Sequence, residues 1–327
     1  MRIFSGIQPT GILHIGNYLG AIKNWKSLIA QNSGDEFIFS IVDLHAITIF
    51  QEPQVLRESI LTTFVMYIAC GIESGIDGKN IKQNIRVFQQ SMVKEHCELA
   101  WILSCNIQMG FIDRMTQYKD KTRENQERAC LGLYSYPILM AADILLYNTD
   151  IVPVGDDQIQ HIELAREIAE KFNAKYGNIF TIPKAKLTEL SETQRIMSLR
   201  DGTNKMSKSD ESDFTRINLL DSADTILQKI KKAKTGEVNS PEVKNLLGIY
   251  EAFSGQKSNH DITSNSSAFK NDLAEAIISE LTPIQNKFYE LMKDKESLLE
   301  ILHKNGAEVA KIAGENLHRI YKVIGLR

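Results

Sequence analysis

The sequence predicts an α/β protein in two parts: a doubly wound parallel sheet over residues 1–220 and a helical domain over residues 221–327. Three observations carry this reading. Short apolar strand candidates alternate with helical periodicity through the first half. A glycine-rich turn joins the first strand to the helix that follows it. Beyond Asp221 the strand signals vanish and helical spacing dominates.

The elements follow in order. Arg2 to Ile7 reads as a short strand, and Tyr18, Leu19, Ile22, Trp25 and Leu28 then recur at helical spacing. Between them lies "FSGIQPTGILHIGNYLGAI", with Gly6, Gly11, Gly16 and Gly20 beside Pro9, His14 and Asn17. Such a turn lets backbone approach a ligand closely, and the helix start offers free N–H groups to a phosphate. Neither G-x-G-x-x-G nor G-x-x-x-x-G-K-[ST] occurs, so glycine spacing alone leaves tight packing as an equal explanation. "FIFSIV" (37–42) is the next strand, ending at Asp43-Leu44-His45. Pro53 opens a helix that runs to Cys70 and stops at Gly71. "IRVF" (85–88) is a third strand, followed by a helix containing Leu99, Ile102 and Leu103. The charged stretch 109–128 reads as a solvated helical insertion. A helix is expected from Pro137 through "YPILMAADILLY", a fourth strand in "DIVPVG" (150–155), and an amphipathic helix from Gln158 to Phe172. Strands alternating with helices imply a parallel sheet covered on both faces, with ligands outside the strands' carboxyl ends. After Asp221 come "TILQKIKKAK", "VKNLLGIYEAF", "LAEAIISEL" and "VAKIAGENLHRIYKVIGL", interrupted by a polar connection at 254–267.

Composition is that of a soluble globular protein, with 24% charged and 43% hydrophobic residues. No secretory h-region follows Met1-Arg2, and no apolar run is long enough to span a membrane, so a cytoplasmic protein is expected. Cys70, Cys97, Cys105 and Cys130 show neither C-x-x-C nor zinc-like spacing. A net charge of −3 gives no support to nucleic-acid binding from gross electrostatics. The clearest basic cluster, Lys229, Lys231, Lys232 and Lys234, is as readily a solvated helix face.

Two further features carry chemistry. Asp143 sits in an otherwise apolar helix, near Leu139, Met140 and Tyr147 in helical spacing, with Tyr136 two turns back. A carboxylate there needs a partner, either a neighbouring element or a substrate donor. "DGTNKMSKSDESD" (201–213) places Lys205 and Lys208 among Ser207, Ser209 and turn formers. By itself this is a surface loop.

Together with His14-Ile15-Gly16-Asn17, however, the intact Lys205–Ser209 K-M-S-K-S pattern resembles the two signatures of class I aminoacyl-tRNA synthetases. Asn17 stands where the class usually has His, a substitution habitual in the bacterial tryptophanyl-tRNA synthetases. Resemblance to that family runs nearly the full length, through "FSGIQPTG", "IGNYLGA", "VDLHAIT", "YPILMAADILLYNTDIVPVGDDQ", "HIEL" and "RIMSL". It implies a Rossmann-like catalytic domain and a helical domain that reads the tRNA anticodon. It implies that Gln8, Pro9, Thr10, Gly16 and Asn17 bind ATP. Gly155, Asp156, Asp157, Ile196, Lys205, Met206, Ser207, Lys208 and Ser209 complete that site, with Ile196 on adenine. Lys205 and Lys208 would be the catalytic pair, point cations that meet charge building on the phosphates. The resemblance gives Asp143 to the indole N–H, which is donor only and so needs an acceptor. Phe4, Gly6, Met140, Val152 and Val154 would wall the indole, His45 would be a polar group beside it, and Tyr136 and Gln158 would hold the amino group. The acids of "VGDDQ" could equally cap the following helix, and core packing is the competing account of Phe4 and Met140. His14 is open between packing and catalysis. The implied partners are L-tryptophan, ATP with accompanying Mg2+, tRNA(Trp) and a second copy of the chain in a homodimer; no protein metal site and no membrane contact are expected. Tyrosyl-tRNA synthetase, or a silent paralogue that senses tryptophan or ATP, are the alternatives.

Overall fold

The computed structural model describes residues 1–72, 84–114, 130–187, 195–208, 210–237, 239–257 and 266–326, apart from the side chain of Asp157. Among the described residues the strands are β1 (Arg2–Ile7), β2 (Glu36–Ile41), β3 (Ile85–Gln89), β4 (Ile151–Val154) and β5 (Lys184–Leu187). They form one sheet of order β3-β2-β1-β4-β5, and every pairing is parallel. The chain winds outward from β1 to β2 and β3, then returns to the other side of β1 for β4 and β5. That reversal is the doubly wound topology, and it opens a crevice at the carboxyl ends of β1 and β4.

Alternation along the strands divides the core. Ile3, Phe37, Phe39 and Ile41 point into one apolar layer, Phe4 and Ile38 into the other. The first layer is covered by α1 (Lys23–Gln31) and α2 (Pro53–Ala69). Trp25 stacks on Phe39 at 4.5 Å between ring centroids. The second is covered by α3 (Glu95–Ser104), α4 (Leu131–Leu145) and α5 (Ile159–Tyr176). Helix α2 begins as its sequence dictates: Pro53 takes the first helical position, Glu52 accepts from the Val55 amide at 3.0 Å, and Gly71 past its end has φ +95°.

Beyond Asp221 the regular elements among the described residues are all helices: α6 (Ala223–Lys232), α7 (Pro241–Ser254), α8 (Ser266–Leu291) and α9 (Lys295–Ile324). Its apolar residues run into the first core layer without a break, and Tyr18 donates to Glu280 at 2.5 Å across the join. Position 221 therefore marks the end of strand-forming sequence rather than a gap between cores. Helix α9 goes further and packs on the sheet itself. Asn305 donates to the Val87 carbonyl at 3.0 Å, and Tyr321 donates to Glu98 at 2.6 Å.

Several expectations need correction. Strand β5 went unpredicted because Lys184-Ala185-Lys186-Leu187 lacks an apolar face; it is an edge strand whose lysines suit exposure. Helix α4 starts at Leu131, one and a half turns before Pro137. Pro137 lies inside the helix, where its missing N–H forgoes only the bond to the Leu133 carbonyl. Of the stretch 109–128, Met109–Ile112 forms one helical turn, and residues from 115 onward lie outside the described residues, as do residues 258–265 of the polar connection. Lys229 is buried rather than on a solvated face, and Lys234 pairs with Glu242 at 2.8 Å. The supposed basic cluster thus shrinks to Lys231 and Lys232.

Candidate active site

The carboxyl ends of β2, β1 and β4 lie side by side, since β1 pairs with both neighbours. The segments leaving them, 42–45, 8–17 and 155–158, face one crevice. Gly6 is exposed although it sits in the central strand, so the sheet is open to the crevice there. A Cβ at Gly6 would lie 2.7 Å from the Ser40 carbonyl oxygen and 2.9 Å from Val42 Cγ1. Glycine is required at this point for β1 to close against β2.

The first signature is a helix start built from its own side chains. His14 is the N-cap of Ile15–Asn17: its Nδ1 accepts from the Gly16 amide at 3.1 Å, and Asn17 Oδ1 accepts from the His14 amide at 3.2 Å. This reciprocal pair is a capping box in which imidazole replaces the usual hydroxyl. The cap gives His14 a local structural role. Burial, then the cations Lys208, Arg216 and Lys205, push its pKa down to about 3, so the ring is a neutral acceptor. A Cβ on Gly16 would strike that ring at 2.9 Å. Beyond Asn17 the helix makes a π-turn, Tyr18–Ile22, and Gly11 before it has φ +83°. The loop carries Gln8 and Thr10 half-buried and Pro9 buried.

The second signature is tied to the first. Met206 donates to the Ile196 carbonyl at 3.1 Å and Ser198 to that of Asn204 at 2.8 Å, so 196–198 and 204–206 form a small antiparallel ladder. Ile196 and Met206 are buried in the first core layer. Lys208 Nζ donates to the Gln8 carbonyl at 3.2 Å. Burial lowers its pKa to about 8. Lys205 is exposed and Ser207 half-buried, while Ser209 lies outside the described residues. Segment 217–219 pairs with 13–15: Ile15 donates to Ile217 and Leu219 to Leu13, at 2.9 and 2.8 Å.

On the other side of the crevice stands Asp143, 2% exposed. Its Oδ2 lies 2.8 Å from His45 Nε2, and Gln90 Nε2 donates to both oxygens at 2.8 and 2.9 Å. His96 Nδ1 approaches Oδ1 at 2.6 Å, too obliquely for an aligned hydrogen bond, and its Nε2 meets the Tyr147 hydroxyl at 2.7 Å. Burial alone would raise the Asp143 pKa; the His96 and His45 imidazoles outweigh it and hold the carboxyl at about 2. The carboxylate is thus already satisfied by protein donors. Gln90 and His96 were not foreseen from sequence. The one available signal was that Gln90 directly follows the carboxyl end of β3.

Tyr136 lies two turns before Asp143 on α4, its hydroxyl 2.9 Å from His161 Nε2 and its ring edge-on to His45. Phe4, Val152 and Val154 are buried in the second core layer, with Met140 packed against it; Phe4 stacks on Tyr147 at 5.7 Å. The nucleotide-side and indole-side candidates therefore occupy opposite faces of the sheet and meet only at the crevice. Past β4, Gly155 is half-buried and Asp156 exposed at a 3₁₀ turn, Asp156–Gln158. The N-cap of α5 is Gln158, whose side chain makes no capping bond, so neither acid occupies the N-cap position.

Residues 1–287 match the family described as tRNA synthetases class I (W and Y). The chain belongs to that family. It is 50% identical over 338 residues to the tryptophan–tRNA ligase of Rickettsia conorii, an alignment spanning 99% of this chain and 98% of the relative. A solved tryptophanyl-tRNA synthetase from Campylobacter jejuni, complexed with ADP and tryptophan, is 35% identical, with all of both chains covered and a TM-score of 0.81. A tyrosyl-tRNA synthetase from Aeropyrum pernix, 20% identical with a TM-score of 0.65, shares the fold. In this chain the second signature meets the loop that leads into the first, through Lys208 on the Gln8 carbonyl.

Proposed function

We propose that this chain is a tryptophan–tRNA ligase that joins L-tryptophan to ATP and passes the aminoacyl group to tRNA(Trp). The tryptophan carboxylate attacks the α-phosphorus, the bond to the β-phosphate oxygen breaks, and tryptophanyl-adenylate and pyrophosphate result. A terminal ribose hydroxyl of the tRNA then attacks the carbonyl carbon and AMP leaves. Neither step needs a protein nucleophile; positioning and stabilisation of phosphate charge supply the acceleration.

The observation that carries the reading is the Lys208–Gln8 contact, which sets a partly desolvated cation against the loop that caps the first helix. Lys208 and Lys205 are assigned to the developing pyrophosphate charge. Gln8, Pro9, Thr10, Gly16 and Asn17 are assigned to the triphosphate and adenosine. Gly155, Asp156 and Asp157 are assigned to the ribose, and Ile196, Met206, Ser207 and Ser209 to the adenine side. Asp143 is assigned to the indole N–H. Of its three partners, His45 alone keeps side-chain exposure, 7% against 0% for His96, so the indole donor is expected to arrive from the His45 side. Phe4, Gly6, Met140, Val152 and Val154 enclose the ring, while Tyr136 and Gln158 face the amino group.

Mg2+ is expected to arrive on the ATP phosphates. No trio of His, Cys, Asp or Glu among the described residues could cage a metal, and no step here is assigned to the ion. A homodimer is supported by an apolar surface where 47–50 adjoins 130–132. Ile47, Ile49, Phe50 and Leu131 are exposed there, and the Cys130 thiol donates to the Thr48 carbonyl. The helices beyond 221 are assigned to tRNA, and a cytoplasmic location is expected; no helix among the described residues is long and apolar enough to cross a membrane. Tryptophan-dependent ATP–pyrophosphate exchange, followed by aminoacylation of tRNA(Trp), tests the reading. Exchange driven by tyrosine instead, or by neither amino acid, would end it.

A further inference from the structure

Lys229 is 2% exposed, although Lys231 and Lys232 on the same helix face solvent. Its Nζ lies 2.6 Å from Asp213 Oδ2 and 2.6 Å from Asp221 Oδ2. A buried ammonium persists only when carboxylates and further hydrogen bonds surround it. Both carboxylates come from one short segment, and that segment is knitted further. Asn218 donates from Nδ2 to Asp213 Oδ1 at 3.0 Å and from its backbone to Asp221 Oδ2 at 2.9 Å. The Arg216 guanidinium stands 3.2 Å from Asp213 Oδ1 and donates to Asn218 Oδ1 at 3.3 Å. It also donates to the Asp210 carbonyl at 3.0 Å.

Two connections make this more than a clamp on α6. Asp210 stands two residues beyond Lys208, so Arg216 grips the point where the second signature leaves the crevice. Asn218 bridges His14, within the backbone pairing of 217–219 with 13–15 that carries the first signature. Lys229 is thus the buried centre of a polar cluster that reaches the first signature through Asn218 and the residue just past the second through Arg216.

We propose that Lys229, Asp213 and Arg216 are positioning residues that set Lys208 relative to the first signature, and so govern the rate of tryptophan activation while leaving tryptophan affinity alone. The proposal rests on the activity assigned above. Because Lys208 acts on charge that peaks in the transition state, an error in its placement falls on kcat.

Asp213→Asn is the first variant. The Asp213 side chain is 51% exposed and Lys229 retains Asp221, so the fold survives the change. Lys229→Met is the second and more severe. Two readouts are needed. Trypsin should cut after Lys205 and Lys208 faster in Asp213→Asn than in the parent, at an unchanged melting temperature. The exchange kcat should fall roughly tenfold, the scale of one charge-assisted hydrogen bond, with the KM for tryptophan unchanged. In a Lys208→Ala background the same substitution should cost nothing more, because its effect passes through Lys208. A merely structural role predicts additive losses. Parental loop cleavage in Asp213→Asn, or losses that add to those of Lys208→Ala, would overturn the proposal, whether or not Lys229→Met folds. A parent enzyme without tryptophan-dependent exchange would overturn the activity itself, a failure separable from the other because loop cleavage is read without turnover.

Discussion

Replacing Asp143 by asparagine separates its two possible jobs, receiving the indole N–H and accepting hydrogen bonds from its protein neighbours. Alanine is the wrong choice. It would strand the groups of His45 and Gln90 that bond the carboxylate, at 2.8–2.9 Å. Each buried orphan costs about 1–3 kcal/mol. Two of them amount to roughly 2–6 kcal/mol, against about 5–15 kcal/mol for a whole domain. Asparagine preserves volume and one acceptor oxygen while removing the charge. A hydrogen bond to a charged group is worth about 1.5–3 kcal/mol and a neutral one about 0.5–1.5. The difference, near 1–1.5 kcal/mol, is roughly a fivefold to fifteenfold change in selectivity. The assay is pyrophosphate exchange with tryptophan and with its benzothienyl isostere, in which sulfur replaces the indole N–H. The isostere fills the same volume but brings no donor. The ratio of kcat/KM values should fall by that factor in a variant whose melting curve shows it folded. A folded Asp143→Asn enzyme with the parental ratio would refute the assignment and leave Asp143 as an internal hydrogen-bond acceptor for its protein neighbours.

Other outcomes are expected. Lys208→Ala should lower the exchange kcat far more than it raises the KM for tryptophan, whereas equal losses in both would make Lys208 an ordinary binding residue. With its pKa lowered by burial to about 8, Lys208 in the free enzyme loses its charge as pH rises through that value. The kcat/KM for ATP should therefore decline above about pH 8, and Lys208→Arg should move the decline upward; superimposable profiles would count against the role. His14→Asn keeps a side-chain acceptor at the N-cap and should leave urea stability nearly intact, while His14→Ala should cost about 1 kcal/mol. The native ring resists protonation down to about pH 3, whereas the unfolded one accepts a proton near its ordinary value. Stability should therefore fall as pH drops below about 6.5 toward 3, and His14→Asn should flatten that limb. Gly6→Ala should perturb β1 against β2 and raise the KM for tryptophan, since its methyl would meet the Ser40 carbonyl; an unchanged KM would remove Gly6 from the site.

Legibility in the sequence followed the physics of each signal. Four of the five described strands were readable, Phe37–Ile41 most plainly because burial on both faces leaves a nearly continuous apolar run. The fifth is an edge strand, whose pairing is carried by backbone groups that leave no apolar trace. Helix α4 was recognisable, but its start was displaced because proline usually opens a helix and here stands inside one. At the site, the candidates that stood inside short motifs were readable as such: His14, Asn17, Lys205 and Lys208. Asp143 stood out by its apolar surroundings. Its partners did not, because Gln90 and His96 lie about fifty residues earlier and reach it only through the sheet order. Lys229 was misread for the opposite reason. Three neighbouring lysines suggested solvent, and only the return of Asp213 and Asp221 in space shows one of them turned inward.

The packing of α9 on the sheet has a consequence for the order of synthesis. β3 is a terminal strand, and the helix that packs on it and on the segment after it arrives more than two hundred residues later, with Asn305 on the Val87 carbonyl and Tyr321 on Glu98. A ribosome-bound chain can assemble β1, β2 and β3 early, but it then carries an unprotected margin until residues 295–324 have emerged. At the usual pace of about 5–20 residues per second, that interval lasts on the order of ten seconds or more. Open strand margins of this kind invite pairing with other chains. Premature termination anywhere between 95 and 295 would leave the nascent sheet in that state permanently, so prematurely ended chains should aggregate rather than persist as soluble fragments.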